Sequence, residues 1–280
     1  MRPRPVRLPR PVHGSAYHLA VWRGVAWWLV GLALLPCRPA RAEEGFTFSV
    51  EPARAELVIP PGKRRGKTLT INNTKSDQPT HLVTYVTDLI YLPDGTHDFP
   101  PAGSTEWSCA KWVQVSPTEL DVPAGKTAEV RISASVPEGA QGGYYAMVFF
   151  ETVPSYAESG IGVNFRIGAL VDVTIPNTAV AQAKLANLAV APPQSILLEI
   201  FNEGNILIRP KGRLKLFDTA GQKILQEEFN PDRLGILPRT LRRFTHKLKT
   251  PLTRGSYRLR AEIDYGARQI LLGELPLVVQ

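Results

Sequence analysis

Hydrophobic and polar positions alternate along most of this chain, and the longest run of alternation is Ile161 to Ile175, IGVNFRIGALVDVTI. Every second residue there (Ile161, Val163, Phe165, Ile167, Ala169, Val171, Val173, Ile175) is apolar. A period of two predicts a β-strand with one buried face. At roughly 3.3 Å per residue such a strand would span about 50 Å, more than one small sandwich needs. Two readings follow. Gly168 marks a bulge that divides the run into two ordinary strands, or part of the strand overhangs the core and offers its surplus apolar face to a partner.

Short strands broken by turn residues fill the rest, and no segment sustains apolar spacing at three and four, so the pattern is all-β. Phe46, Phe48 and Val50 alternate into Glu51-Pro52, after which Leu57 and Ile59 continue on the opposite parity, as if the first strand changes sheets at a kink. Strands are predicted at 67–72, 81–89, 112–115, 119–122, 128–136 and 143–153, with Pro93-Asp94-Gly95 a tight turn. Seven or more strands in about 130 residues predict an immunoglobulin-like sandwich. A second series, 185–190, 196–202, 212–217, 222–229, 240–248, 256–265 and 269–279, predicts another. The expected fold is therefore two tandem immunoglobulin-like β-sandwiches, residues 43–176 and 177–280, with Pro176-Asn177-Thr178 as the hinge.

Charge changes the picture at the N-terminus. The 280 residues carry a formal net charge of +8, but seven arginines precede Glu43 and no acidic residue does. A basic start, the apolar core Val25 to Leu35 and Ala40-Arg41-Ala42 together read as an export signal over residues 1–42, cleaved to leave Glu43 first. The apolar run is too short for a stable membrane span. Lipidation at Cys37 is disfavoured by Pro36. The mature chain is then close to neutral, and no nucleic-acid partner is expected. It divides unevenly: residues 43–179 hold 10 basic and 16 acidic side chains, residues 180–280 hold 16 and 9, so the halves are expected to attract. The densest basic run, Arg239, Arg242, Arg243, Lys247 and Lys249, reads as a solvated strand face or as a seat for an anionic envelope glycan.

Candidate chemistry is sparse. Cys109 is the only cysteine after residue 42, which rules out an internal disulfide in the mature chain, and between Trp107 and Trp112 it reads as a small core residue. Three histidines remain (His81, His97, His246), and G-x-S-x-G, H-E-x-x-H, C-x-x-C and P-loop patterns are absent. Gly142-Gly143 reads as a turn before a strand, since a phosphate cradle needs a following helix. Asp94, Gly95 and Asp98 lack the rest of a calcium loop. No enzyme activity, cofactor or metal is expected.

Two segments carry a family resemblance. Ala55 to Asn73, AELVIPPGKRRGKTLTINN, resembles the opening of periplasmic pilus chaperones of the PapD type. Leu120 to Phe149, with Pro123-Ala124-Gly125-Lys126 leading into EVRISASVP and GGYYAMVF, resembles those chaperones and also the WxL-interacting surface proteins. The chaperone resemblance implies that the last strand of the first sandwich lends alternating apolar residues to an incomplete subunit. It places Ile161, Val163, Phe165 and Ile167 at the client. Family members anchor the client carboxylate with an Arg on the first strand and a Lys on the last; Glu56 and Val171 fall at those places here, leaving Arg54 and Arg166 as nearby substitutes. The implied partner is a pilin-like or surface-protein subunit and the implied location the periplasm. The alternative is a cell-surface adaptor that binds peptidoglycan or another envelope polymer.

Overall fold

The computed structural model describes residues 48–74, 77–153, 164–191 and 195–279. The export signal and its cleavage site, Phe46, Ile161 and Val163 lie outside the described residues.

The strands run in the order β1 Ser49–Glu51, β2 Arg54–Val58, β3 Arg64–Asn72, β4 Thr80–Thr87, β5 Ile90–Tyr91, β6 His97–Asp98, β7 Val113–Ser116, β8 Glu119–Val122, β9 Thr127–Ser135, β10 Gly143–Thr152 and β11 Arg166–Thr174. They continue as β12 Ala183–Ala191, β13 Ser195–Asn202, β14 Lys211–Phe217, β15 Lys223–Phe229, β16 Leu241–Lys247, β17 Gly255–Asp264 and β18 Leu271–Val279. The first sandwich packs sheet β1-β3-β9-β7 against β2-β11-β10-β4-β8, and the second packs β12-β13-β16 against β15-β14-β17-β18. The chain is a pair of immunoglobulin-like β-sandwiches.

The first strand does change sheets at its kink. Val50 pairs with Ile71 in one sheet, and beyond Pro52 Ala55 pairs with Val171 in the other. Each half therefore buries its own parity, Phe48 and Val50 before the kink, Ala55, Leu57 and Ile59 after it. Leu69, Ile71, Val130 and Ile132 from one sheet meet Leu82, Val148, Phe150, Val171 and Val173 from the other, which makes the first core. The second core follows the same rule: Ile196, Leu198 and Ile200 alternate inward along β13 and face Leu214, Leu216, Leu259 and Ile263.

The segment between the sandwiches is held by hydrogen bonds from both sides. Thr178 donates through its hydroxyl to the Ile175 carbonyl at 2.9 Å and accepts from the Gly142 N–H at 2.7 Å. The Asn205 side chain bonds the Thr178 carbonyl and the Val180 N–H. Opposite charges on the two halves do not pair: every ion pair among the described residues joins side chains of the same sandwich. Instead, Leu89 and Tyr145 of the first sandwich meet Leu207 and Leu237 of the second in a small apolar core of their own.

Candidate functional site

The candidate site is the N-terminal half of β11. This strand pairs with β10 along its whole length, from Glu151 opposite Arg166 to Gly143 opposite Thr174, without a register shift. Gly168 is therefore no bulge. It stands opposite Phe149, and a Cβ there would come within 2.5 Å of Met147 Cε and 2.9 Å of Phe149 Cε1. Glycine lets the Phe149 ring lie flat over the strand, an aromatic cover for a residue with no side chain of its own.

On its other edge β11 is only half paired. The parallel partner β2 spans Leu170 to Thr174, and the Leu170 N–H donates to the Ala53 carbonyl at 3.0 Å as the last bond of that ladder. From Arg166 to Ala169 no strand among the described residues takes this edge. Peptide groups alternate sides along a strand. Leu170 faces β2, so Arg166 and Gly168 turn their backbone groups toward the open edge.

The apolar row emerges from the core along the same half. Ala169, Val171, Val173 and Ile175 are fully buried. Ile167 is half-buried and packs on the first core, and Phe165 is 41% exposed. The backbone of Phe165 is nevertheless fixed: its carbonyl accepts from the Thr152 N–H and its N–H donates to Thr152 Oγ1, both at 2.9 Å. Among the described residues the strand runs over the nine from Arg166 to Thr174, and the apolar row passes from fully buried at Ala169 to half-buried at Ile167 and exposed at Phe165, just before the strand.

The opposite face carries Arg166. Its guanidinium lies 4.5 Å from the Phe149 ring centre and 5.6 Å from that of Phe99, and it donates to Tyr85 Oη at 3.3 Å. Tyr85 in turn donates to Glu151 at 2.5 Å. Stacking and this relay stiffen the outer side of the strand and hold Arg166 in place.

Arg54 sits elsewhere. It stands opposite Leu170, four residues from Arg166 or about 13 Å along the strand, so the two arginines do not converge. Arg54 forms an ion pair with Asp172 and reaches Glu56 at 3.2 Å. Burial pushes the Asp172 carboxyl up, against the pull of Arg54. Sequence reading missed a third arginine in this neighbourhood. Arg209, half-buried in the segment before β14, feels Arg54, Asp172 and Tyr91, and burial lowers its pKa. No periodicity marks it, because it lies outside any strand.

The basic run of the second sandwich is not a continuous patch. Arg242 is buried, with its guanidinium donating to the Gly235 carbonyl at 2.7 Å. Arg243 is paired with Glu199 at 2.7 Å. Neither a solvated face nor a glycan seat describes Arg242. Its parity was the available signal, since it shares a strand face with Phe244. Cys109 is fully buried, and burial pushes its thiol well above the ordinary range. No group of three or more His, Cys, Asp or Glu that could hold a metal gathers among the described residues, and no helix among them is long and apolar enough to cross a membrane.

Comparison with known proteins gives matches in structure alone. No family model matches the chain, and no curated protein does. Solved fimbrial chaperones are similar to it. The class 5 fimbriae chaperone CfaA has 16% identity over 82% of this chain and 100% of its own, with a TM-score of 0.45. The Escherichia coli chaperone DraB has 18% identity over 82% and 98%, with a TM-score of 0.43. A chain from a chaperone–tip adhesin complex of CFA/I fimbriae biogenesis has 15% identity over 83% and 98%, with a TM-score of 0.47.

Proposed function

We propose that this chain is an exported, non-enzymatic assembly chaperone that holds a pilin-like or surface-protein subunit by lending it the open half of β11. One observation supports the reading: between Arg166 and Ala169 an edge that no strand among the described residues pairs coincides with an apolar row leaving the core at Ile167 and Phe165. An exposed edge of this kind is a template for a foreign strand. Edge bonds supply direction and register, and alternate side chains supply the apolar contact. Ile161 and Val163 continue the row in sequence and extend the contact. On this reading the chain works after removal of residues 1–42, in the periplasm, as two sandwiches divided near residue 177. Arg166 stiffens the donor strand, and Arg54 acts through Asp172 rather than as a free anchor.

Hydrogen exchange tests the proposal. In the free protein the amides of Arg166 and Gly168 should exchange rapidly, and binding of a subunit that lacks its own closing strand should protect both. Protection confined to the second sandwich would overturn it.

A further inference from the structure

The β5–β6 hairpin belongs to the first sandwich by sequence but closes on the second. Its tip is a well-bonded turn: the Leu92 N–H donates to the Thr96 carbonyl at 2.8 Å, the Gly95 N–H to the Leu92 carbonyl at 2.8 Å, and the Thr96 N–H to Asp94 Oδ1 at 2.9 Å. Its base is equally fixed. Asp88 is fully buried and accepts from the Gly103 and Thr105 N–H groups and from the Thr105 and Ser108 hydroxyls. The loop so held carries Trp107, which donates to the Leu89 carbonyl at 3.3 Å.

From that base the tip reaches β16, whose only strand partner among the described residues is β13. On the free side, the Arg243 N–H donates to the Pro93 carbonyl at 2.6 Å. Arg242 is enclosed at the same contact, 5% exposed, with Tyr91 of the hairpin 5.4 Å from its guanidinium and Phe244 of its own sandwich 5.6 Å away. Gly95 completes the enclosure. Its φ of +90° suits glycine, and a Cβ would stand 2.6 Å from Arg242 Nη2. A guanidinium withdrawn from water needs aromatic faces and hydrogen bonds to compensate. The Gly235 carbonyl and Phe244 come from the arginine's own sandwich, and the hairpin of the other sandwich closes the enclosure with the face of Tyr91 and the backbone at Gly95.

We infer that β5–β6 is a strap that fixes the angle between the two sandwiches, with Tyr91 and Gly95 as the positioning residues on one side and Arg242 on the other. The inference does not depend on what β11 binds. The strap acts beside the small Leu89, Tyr145, Leu207 and Leu237 core, and it makes the two sandwiches one mechanical body.

Gly95→Val tests the strap, because it displaces the tip without touching either sandwich core. In the intact mature protein, residual dipolar couplings should fit one common alignment for both sandwiches, and calorimetry should show one transition. In Gly95→Val the two sandwiches should align separately and melt in two resolved steps. A variant that keeps the wild-type common alignment and a single transition overturns the inference. Tyr91→Ala, at a half-buried position, is the second reporter and should behave alike. Loss of all structure in both variants would also contradict a strap, since a tie between two self-sufficient sandwiches is dispensable to each.

Discussion

The backbone N–H of Leu207 in the second sandwich donates to the phenol oxygen of Tyr145 in the first at 2.5 Å, inside the apolar junction and away from water. Tyr145→Phe keeps the ring and leaves that N–H without a partner. An unsatisfied buried donor costs about 1–3 kcal/mol. The variant should lose that much in denaturant unfolding, with an unchanged m-value.

The same phenol gives a pH dependence. Burial pushes the Tyr145 pKa well above the ordinary tyrosine value. The folded protein therefore holds the neutral form after the unfolded chain has begun to ionise. Its contribution is intact below about pH 10 and is lost as pH rises beyond that. Wild type should lose stability above that pH more steeply than Tyr145→Phe. Parallel curves for the two would contradict this origin.

Arg54 and Asp172 should behave as a coupled pair. Arg54→Met leaves a buried carboxylate without its counter-ion, at a cost near the low end of about 3–5 kcal/mol because the Arg54 side chain is 29% exposed. The double variant Arg54→Met, Asp172→Leu should recover most of that loss. Additive losses in the double-mutant cycle would mean the pair is not coupled.

Salt should leave the shape unchanged. No ion pair crosses the junction among the described residues; a small apolar core and short hydrogen bonds such as Leu207 N–H to Tyr145 and Arg243 N–H to Pro93 hold it. Raising salt shortens the Debye length from about 10 Å at 0.1 M to about 3 Å at 1 M, yet X-ray scattering profiles at the two should superimpose. Expansion at high salt would restore a role for the opposite charges of the two halves.

Much of this architecture is legible in the alternation of single strands. The parity change between Val50 and Leu57 marks the sheet switch, and β13 can be read residue by residue. What escapes is set by packing from a distance. Ile90–Tyr91 and His97–Asp98 are two-residue strands, too short to show a period, so the hairpin reads only as the turn at Pro93 to Gly95. Asp172 has the outward parity of β11 but is buried and paired with Arg54. For the candidate site, the sequence shows the apolar row but not where β2 stops. That Leu170 is the last residue with a parallel partner depends on the Pro52 kink and the length of β2, and it is this that opens the edge at Arg166 to Ala169.

The central claim is that Phe165 belongs to a client surface while Val171, six residues along the same row, belongs to the core. Each such side chain fully buried in a client groove is worth about 1.5–3 kcal/mol, so a few supply much of the roughly 8 kcal/mol of micromolar binding before ordering costs. The deciding measurement compares Phe165→Asp and Val171→Asp for melting and for capture of a subunit that lacks its closing strand. Val171→Asp buries a charge in the first core and should unfold that sandwich. The account predicts that Phe165→Asp melts close to wild type and no longer captures the subunit. A folded Phe165→Asp protein that still holds its subunit, or one that unfolds as Val171→Asp does, would contradict it.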